Sequence, residues 1–477
     1  MTPAHNALET IHHWHFRFGI AVVLTLGAAW GAYLLLQIAS AGSFTAVALH
    51  DVNAHGHAQI FGWVGLFVMG FAYAAFPRFK AVALPHRGWA WAGLWLMLVG
   101  VAGRCIAEPL AGRVPWAGPV AVGATGLEVV AIGLFAWIVW TIFRRSALGW
   151  EAHDYYVLAA VGWFFLQAVA ETCYLAATLA AADRSALLTL VATWQAPLRE
   201  IQIHGFAMLM ILGVSQRIFP RHYGFRATGR RKSLIVLAVL NAAVVGEALG
   251  LVWMQTAGRV WAGLWFASVL AMAVAAAVLL QSWRIFSPCA QPDRSLKFLR
   301  AAYVWLFVSL GMLVLLPAYQ QGLLRLLAPD SGAAQIGFSH AYYGAVRHAI
   351  TVGFISLMIM GVSAKMVPTL LEIDPARLRP LRIPFVLLNV GCALRVGAQT
   401  LTDFTPAAFP AAGASGLLEL GGLAVWGVHL WRLMSPTASA RPGSPDRADT
   451  ADHERSAGAP TLENLVPSTR EPPGGIR

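Results

Sequence analysis

Twelve stretches of mostly apolar residues follow one another along this chain, and they constrain its fold more than any other feature. Each is about 20 residues long, which lets an α-helix cross a hydrocarbon core roughly 30 Å thick. The chain is 58% hydrophobic and only 12% charged, a balance typical of polytopic membrane proteins. We therefore predict an all-α membrane protein with twelve transmembrane helices. The segments lie at about residues 16–38, 56–77, 88–107, 118–143, 155–181, 200–219, 232–254, 259–283, 299–320, 345–367, 382–402 and 411–434.

The basic residues indicate how these helices are oriented. The 34 Lys and Arg exceed the 22 Asp and Glu, giving a net charge of +12. They form no patch interleaved with aromatic residues, so nucleic-acid binding is not expected. They concentrate in every second connection, and the positive-inside rule therefore places those connections and both termini in the cytoplasm. The clustered cations are Arg78, Lys80, Arg87, Arg144, Arg145, Arg221, Arg226, Arg230, Arg231, Lys232, Arg294, Lys297, Arg377, Arg379 and Arg382.

Composition also sets the limits of the membrane domain. After Arg432 the sequence changes to Pro, Ser, Ala, Gly and mixed charge. We predict a membrane domain at residues 10–434 and a disordered cytoplasmic tail at 435–477. The N-terminal stretch lacks a small-residue cleavage pattern and is expected to lead into a retained first helix. The four cysteines are far apart and lack CxxC or CxxCH spacing, so neither a disulfide framework nor a covalent haem attachment site is expected.

An internal repeat organises the twelve segments. A glycine is followed eight residues later by a second glycine and, after seven more, by a proline. This pattern occurs three times, with offsets of 143 residues (62 to 205) and 148 residues (205 to 353). We predict three four-helix units, at about 10–145, 153–285 and 299–434, with pseudo-threefold symmetry about the membrane normal. The alternative is that Gly-rich apolar segments align by chance. Positions in register are Gly62, Gly205 and Gly353; Gly70, Gly213 and Gly361; Pro77, Pro220 and Pro368; Trp140, Trp283 and Trp431; Asn241 and Asn389; Arg104, Glu247 and Arg395.

Histidines near the starts of the second, sixth and tenth helices are the main candidates for chemistry. His57 and His348 are equivalent in the repeat, and the middle unit has Glu200 there with His204 one helical turn further on. By the predicted topology they share the outer part of the bundle. Imidazole nitrogens ligate haem iron and copper, and two facing histidines can clamp a haem axially. His55 lies roughly 200° around the helix from His57, so both face one metal only if the helix start is unwound.

Each histidine also has a purely structural interpretation. An imidazole near a helix start can be an interfacial polar group that water or backbone satisfies. That interpretation suits His55 best. It suits His57, His204 and His348 less well, because ionisable groups within membrane spans are costly and tend to mark functional sites. We take all four as candidate metal ligands.

Two arginine–glutamate spacings are the next signal. Arg104 and Glu128 lie 24 residues apart across a short connection, and Arg395 and Glu419 lie 24 apart in the third unit. Antiparallel neighbouring helices would let each pair form an ion pair that fixes helix packing. Alternatively, Arg104 or Arg395 contacts an anionic group such as a haem propionate, for which the planar guanidinium is suited. The spacing leaves both interpretations open.

Other polar residues carry weaker signals. Glu171 and Glu247 are unpaired in the sequence, so each is either a proton carrier or faces a partner that the sequence does not identify. The remaining histidines and tyrosines at helix ends are interpreted mainly as interfacial groups, with a separate metal role as the alternative for the first three. They are His12, His13, His15, His340, Tyr342 and Tyr343.

The histidine motifs resemble those of the NnrS family. HGHAQIFG at residues 55–62 resembles the family's HAHExxFG segment, and RHAITVG at 347–353 with LMIMG at 357–361 resembles its HALTVGAxGxMxLG segment. HFRF at 15–18 resembles the family's PFRPFF start more weakly. The resemblance as a whole spans about residues 10–434. It implies a haem- and copper-containing protein of the bacterial inner membrane, associated with the nitric oxide response in denitrifying or nitrosatively stressed cells. It also implies that His55, His57 and His348 are haem or metal ligands.

The chain departs from the family pattern in two places. Ala58 and Gln59 replace the Glu-Met that follows the second histidine, and Pro368-Thr369 stands where a Ser-Leu-Gly-His run is usual.

The helix count and the repeat are also similar to the catalytic subunit of haem–copper oxidases and nitric oxide reductases. That resemblance implies ligands on the second, sixth and tenth helices, which here carry His57, His204 and His348. The seventh helix has no histidine pair, and no tyrosine follows His204 at helical spacing. A binuclear site for reducing oxygen or nitric oxide therefore lacks its copper ligands.

These observations lead to one main hypothesis and two alternatives. The main hypothesis is an NnrS-like haem protein with haem between helices two and ten, held by His57 and His348, and with His204 at a second iron or copper position. Nitric oxide and an electron donor would be its partners besides the bilayer. The first alternative is a true reductase of nitric oxide or oxygen. The second is a transporter or assembly scaffold without cofactor, in which the histidines are polar packing groups.

Overall fold

The computed structural model describes residues 10–289, 293–374 and 378–435, and this part of the chain contains helices and no β-strand. Twelve of the helices are long and apolar enough to cross a membrane, which confirms the predicted all-α class and helix count. We number them α1 to α12. Their bounds are α1 Ile11–Ala41, α2 Leu49–Phe79, α3 Arg87–Leu110, α4 Ala117–Arg145, α5 Ala152–Leu179, α6 Arg184–Tyr223, α7 Arg230–Thr256, α8 Arg259–Trp283, α9 Leu296–Leu327, α10 His340–Leu370, α11 Arg382–Leu401 and α12 Pro406–Leu433.

Several helices begin before the apolar segments that predicted them, and α6 and α10 are two of them. α6 starts at Arg184 rather than near residue 200, and α10 starts at His340 rather than near 345. Asp183 and Ser339 cap these starts, each accepting a hydrogen bond from a backbone N–H three residues on, at 2.8 and 2.9 Å. A capped polar turn extends a helix beyond its apolar part, and a hydropathy criterion does not detect such a turn.

Three helices form the centre of the bundle. The most apolar windows of α2, α6 and α10 are 89%, 89% and 78% buried, whereas those of the other nine helices are only 33–50% buried. The nine therefore surround the three. Among the surrounding helices α3 packs on α4, α7 on α8 and α11 on α12, while α4 contacts α5, α8 contacts α9 and α12 contacts α1. The contact of α12 with α1 completes a ring of nine helices around α2, α6 and α10.

The bundle has two ends. We call the end at which α1 begins, at Ile11, and α12 ends, at Leu433, the terminal end. α2, α6 and α10 begin at the other end, which we call the site end because it carries their histidines.

Each central helix contains an eight-residue π-helical stretch. The three stretches are Ala58–Gly65, Ile201–Met208 and Ala349–Ser356. They are separated by 143 and 148 residues (58 to 201 and 201 to 349), the same offsets as the glycine pattern. Because π-helical turns are rare and occur mostly at functional sites, their position directly after His57, Glu200 and His348 marks the site end of the bundle.

The repeated second glycine allows a close helix contact each time. A Cβ atom added at this position would lie at 3.0 Å or less from the Cβ of a residue on the preceding helix, so only glycine permits the observed spacing. The contacts are Gly70 with His15 at 2.7 Å, Gly213 with Tyr156 at 2.6 Å and Gly361 with Phe298 at 3.0 Å.

A second contact recurs in the middle and last thirds of the chain. The indole N–H of Trp163 donates to Asn241 Oδ1 at 2.8 Å, and that of Trp305 donates to Asn389 Oδ1 at 3.0 Å. Asn241 and Asn389 are one of the pairs that fell into register in the sequence. The same hydrogen bond therefore joins α5 to α7 and α9 to α11.

The cysteines differ in burial. Cys105 and Cys392 are buried, Cys289 is half-buried and Cys173 is exposed. The predicted tail at 435–477 lies, apart from Ser435, outside the described residues.

Candidate functional site

His57 is fully enclosed by polar partners at the site end. Its Nδ1 lies 2.8 Å from Arg104 Nη1, and its Nε2 lies 2.9 Å from Glu128 Oε1. A guanidinium is only a donor, so Nδ1 accepts a hydrogen bond and Nε2–H donates to the carboxylate. Both ring nitrogens are therefore engaged, and His57 has no free ligand atom. We call His57, Arg104 and Glu128 the closed site.

Arg104 connects the closed site to a wider buried network. Its Nε donates to Glu108 Oε2 at 3.0 Å, and its Nη2 donates to Glu171 Oε1 at 2.8 Å. All three of these side chains are almost completely buried. The direct Arg104–Glu128 ion pair that the sequence spacing suggested is not among the pairs within 4.0 Å in the described residues, because His57 lies between the two. Glu171, unpaired in the sequence, proves to be a partner of Arg104.

The network continues on α6 and reaches the edge of the bundle. Gln202 Nε2 donates to Glu171 Oε2 at 3.1 Å, and Arg199 Nη1 donates to Gln202 Oε1 at 3.0 Å. At the other side, His50 Nδ1 lies 3.2 Å from Glu108, with a His50 side chain that is 25% exposed. A chain of ionisable and amide groups thus leads from a partly exposed histidine to the interior.

His55 and His348 have a different arrangement from His57. The Nδ1 of His55 lies 3.0 Å from the carbonyl oxygen of Gly27, and that of His348 lies 2.9 Å from the carbonyl of Gly344. A carbonyl only accepts, so each Nδ1 carries the hydrogen. Each Nε2 then has no hydrogen-bond partner among the described residues, and its lone pair is available when the ring is neutral.

A glycine on α1 makes room for the His55 ring. A Cβ atom added at Gly31 would lie only 2.3 Å from His55 Cε1. Position 31 must therefore be glycine for the ring to occupy this place between α1 and α2.

Arg395 is the charged neighbour of these two histidines. His55, His348 and Arg395 lie close enough to interact electrostatically, and we call the three residues the open site. The guanidinium Nε and Nη1 of Arg395 are buried and have no hydrogen-bond partner in the described parts of the chain. Arg395 and Glu419 also interact electrostatically, yet the predicted direct pair is not found within 4.0 Å there. One Glu419 oxygen is likewise unpartnered.

His204 belongs to a third group, together with two carboxylates. Its Nδ1 lies 2.8 Å from Glu247 Oε2 and 3.5 Å from Glu200 Oε2. One ligand atom from each of the three residues lies within 4.8 Å of the other two, and all three residues are buried. We call Glu200, His204 and Glu247 the carboxylate cluster. The seventh helix, which lacks a histidine pair, contributes Glu247 instead.

Two residues of α10 contact the carboxylate cluster. The Tyr343 hydroxyl donates a hydrogen bond to Glu200 Oε1, and Arg347 Nη2 lies 3.7 Å from the same oxygen. Sequence reasoning treated Tyr343 only as an interfacial residue. The signal that could have found this site was Glu200 itself, because it occupies the repeat position of His57 and His348.

The remaining histidines lie apart from these groups. His15 is buried near the terminal end, where its Nδ1 lies 3.0 Å from the Ile11 carbonyl and its ring meets Tyr73 edge-on at 5.3 Å. His340 packs edge-on against Phe338 at 4.8 Å between ring centroids. Neither contact brings these residues to the candidate ligands.

An apolar cavity of about 70 Å³ lies between the central helices, and none of the candidate histidines lines it. Phe67, Met210 and Met358 line it at equivalent repeat positions, together with Phe16 of α1. Pockets that hold drug-sized ligands have roughly 300 Å³ or more, so this cavity is too small for a haem.

Comparisons with known proteins identify the family. A structurally similar protein is known from the cryo-EM structure of a heme-copper terminal oxidase dimer, with 17% sequence identity, a TM-score of 0.43 and an alignment that covers 96% of this chain and 89% of that one. No curated protein matches the chain. The model of the family described as NnrS protein matches residues 8–437. Because this match includes all twelve helices, the chain belongs to the NnrS family.

Proposed function

We propose that the chain binds haem at the site end of the bundle and takes part in a nitric oxide response or protection. The family resemblance implies haem and copper, and the donor atoms of the open site fit a haem iron. When bound, haem would supply an iron that coordinates nitric oxide. His348 and His55 are the residues that would hold it.

One observation carries this proposal. The Nδ1–H groups of His55 and His348 are held by backbone carbonyls, an arrangement that fixes the ring orientation and the tautomer of metal-ligating histidines. It leaves the Nε2 lone pairs for a metal. His57, the first choice from the sequence, would have to give up Arg104 or Glu128 before it could ligate anything.

Arg395 supports an anionic ligand at the open site. A buried guanidinium with two unpartnered nitrogens is costly, and a carboxylate such as a haem propionate would satisfy its planar donor geometry. Arg104, the other candidate, already has Glu108, Glu171 and His57 as partners. We therefore assign the propionate role to Arg395 alone.

The repeat and the topology are part of the proposal. We infer three four-helix units at about 10–145, 153–285 and 299–434, with pseudo-threefold symmetry about the membrane normal. Matching π-helical stretches, glycine contacts and Trp–Asn hydrogen bonds support them. We further propose a bacterial inner-membrane location with both termini in the cytoplasm, because the cation-rich connections alternate along the chain.

The absorption spectrum of the purified protein tests haem binding. We expect a Soret band that His348→Ala and His55→Ala abolish, while His57→Ala retains it. His429→Ala, at the terminal end, is the control and should leave the band unchanged. A colourless preparation from haem-supplied cells would contradict the proposal and favour a transporter or scaffold. Loss of the band in His57→Ala but not in His55→Ala would return the ligand role to His57.

Reduction of nitric oxide or oxygen is the second candidate function, and the carboxylate cluster favours it because it places possible metal ligands on α6 and α7. Anaerobic titration with nitric oxide separates the two functions. A binder shifts its Soret band with one equivalent of gas and then stops, whereas a reductase supplied with an electron donor consumes nitric oxide continuously.

A further inference from the structure

We propose that Glu200, His204 and Glu247 bind a divalent first-row metal ion at a site separate from the haem. The ligands would be one ring nitrogen of His204 and one carboxylate oxygen each of Glu247 and Glu200. The inference goes beyond the proposed haem site and does not depend on it, since it rests on other residues and other helices.

The distances suit a single ion. His204 Nδ1 lies 2.8 Å from Glu247 Oε2 and 3.5 Å from Glu200 Oε2. One ligand atom from each of the three residues lies within 4.8 Å of the other two. Ligand atoms about 2.0–2.2 Å from a common ion are separated from each other by roughly 3–4 Å. Binding therefore requires an ion in place of the proton that now joins His204 to Glu247, with little movement of the side chains.

Unsatisfied polar atoms are the second, independent observation. His204 Nε2 and Glu247 Oε1 are buried and have no hydrogen-bond partner among the described residues. His204 and Glu247 are each 1% exposed, and Glu200 is 4% exposed. Two carboxylates and an imidazole without full compensation are unfavourable in a helix bundle. A divalent cation would neutralise both carboxylates.

The surrounding residues hold the ligands in place. Tyr343 and Arg347 both approach Glu200 Oε1, which leaves Oε2 directed toward His204. Hydrogen bonds of this kind orient ligating carboxylates and tune metal affinity. Glu200 and His204 flank the start of the π-helical stretch of α6, and Glu247 lies on α7, so all three ligands are carried by helices rather than loops.

The ligand types indicate which metals fit. Two carboxylates and one imidazole suit Fe²⁺, Mn²⁺ or Zn²⁺, whereas Cu⁺ prefers thiolate and thioether sulfur. The three ligands include no sulfur. Three protein ligands also leave coordination positions open, as in catalytic rather than structural metal sites. The copper that the family resemblance implies is therefore not the metal we expect here.

The closed site supplies a matched control. His57 and Glu128 form a buried histidine–glutamate hydrogen bond of 2.9 Å, close to the 2.8 Å of His204 and Glu247. At His57, however, Arg104 occupies the other ring nitrogen, and the guanidinium already supplies the positive charge. Glu128→Gln therefore removes an equally buried carboxylate without touching the proposed ligands.

The experiment measures metal content and metal affinity in the full chain. Non-haem metal is determined by elemental analysis after subtraction of haem iron, and metal-depleted protein is titrated anaerobically with Fe²⁺, Mn²⁺ and Zn²⁺. We expect about one equivalent in the wild type and in Glu128→Gln. Glu247→Gln and His204→Ala should weaken binding by more than about 100-fold, beyond the 10- to 100-fold typical of changes outside the ligand shell.

A measurement on the wild type keeps the test decisive if a variant fails to fold. Co²⁺ added to metal-depleted protein should give ligand-field absorption bands, and these bands should disappear when Zn²⁺ displaces the Co²⁺. Absence of these bands and of any tightly bound ion would overturn the proposal, as would equal metal loss in Glu128→Gln. The haem proposal is read separately from the Soret band, so either proposal can fail while the other stands.

Discussion

The closed site and the open site contain the same kinds of residue, but the structure partners them in opposite ways. His57 and His348 lie 291 residues apart, as do Arg104 and Arg395, and 291 is the sum of the two offsets of the glycine pattern, 143 and 148. In the closed site, His57 uses both ring nitrogens and Arg104 bonds to His57, Glu108 and Glu171. In the open site, the His348 ring bonds to a backbone carbonyl and to no other group in the described residues, where two Arg395 nitrogens are also unpartnered.

This difference teaches that residue type and repeat position do not determine the role of a buried ionisable group. Glu108 and Glu171 are the groups that satisfy Arg104, and no acidic residue within 4.0 Å does this for Arg395 in the described chain. The first site is a network that stabilises helix packing. The second retains guanidinium nitrogens without a hydrogen-bond partner among the described residues, and we propose that a bound haem uses them.

Replacing each arginine by methionine should give the largest difference in stability between the two sites. Arg104→Met should cost about 3–5 kcal/mol in the free energy of unfolding, because it leaves buried carboxylates without their cation. Arg395→Met should leave it unchanged or raise it, since the substitution removes a buried guanidinium that has unpartnered nitrogens. Denaturant unfolding of haem-free protein in detergent measures both. Equal losses in the two variants would show that the sites do not differ in this way.

Lysine substitution separates charge from the shape of the guanidinium. Arg104→Lys keeps the positive charge, but its single nitrogen cannot reproduce the spacing of the planar guanidinium donors, so we expect a loss of about 1.5–3 kcal/mol. Arg395→Lys should be close to neutral for stability. The same unfolding assay applies. If Arg104→Lys is as stable as the wild type, charge alone accounts for the closed site.

The close fit of His55 against α1 provides a test of the open site. In Gly31→Ala the new Cβ would collide with the His55 ring, and we expect a loss of about 1–3 kcal/mol, typical of overpacking. The haem Soret band should weaken as the ring is displaced. Gly162→Ala, where nothing lies within 4 Å of an added Cβ, is the control and should show neither effect. An unchanged Soret band in Gly31→Ala would remove His55 from the ligand set.

The smallest effect is expected at the terminal end, remote from both sites. Hydrogen bonding to His153 and attraction by Arg217 lower the pKa of Glu151 from 4.5 to about 2. A lowered folded-state pKa stabilises above pH 4.5 and loses that contribution as the pH falls toward 2. Because Glu151 is half exposed, Glu151→Gln should cost less than about 1 kcal/mol at pH 7. Melting curves should show this difference shrinking at pH 3, and a difference that persists there would exclude Glu151 as its source.

Much of the fold could be predicted from the sequence because lipid imposes a simple length and hydropathy rule. The twelve helices followed from that rule, and the glycine pattern indicated positions that the structure shows to be close helix contacts. Which helices are central did not follow, because burial of α2, α6 and α10 depends on the packing of all twelve. The π-helical stretches also escaped detection, since they leave the apolar character of the sequence unchanged.

The candidate site could be predicted as a set of residues but not as a set of contacts. His55, His57, His204 and His348 do lie toward the site end. Which ring nitrogen of a histidine lacks a partner depends on how its helix is rotated and on residues of other helices. For His55, the partner is the carbonyl of Gly27 on α1. Likewise Glu171 and Glu247 acquired partners only in three dimensions, because those partners lie 67 and 43 residues away in the sequence.

The contact between α12 and α1 has a consequence for how the protein is made. If the helices are inserted in order from the N-terminus, α2 enters the bilayer long before α12 completes the ring of helices around it. Until then, His57 and Arg104 already have their partners on α2 to α5, whereas His55 and the other polar groups on the α11 and α12 side of the interior lack the helices that cover them. A ribosome-stalled or truncated product therefore displays these groups openly, and membrane proteases that sample polar residues in lipid have a chemical basis for removing it.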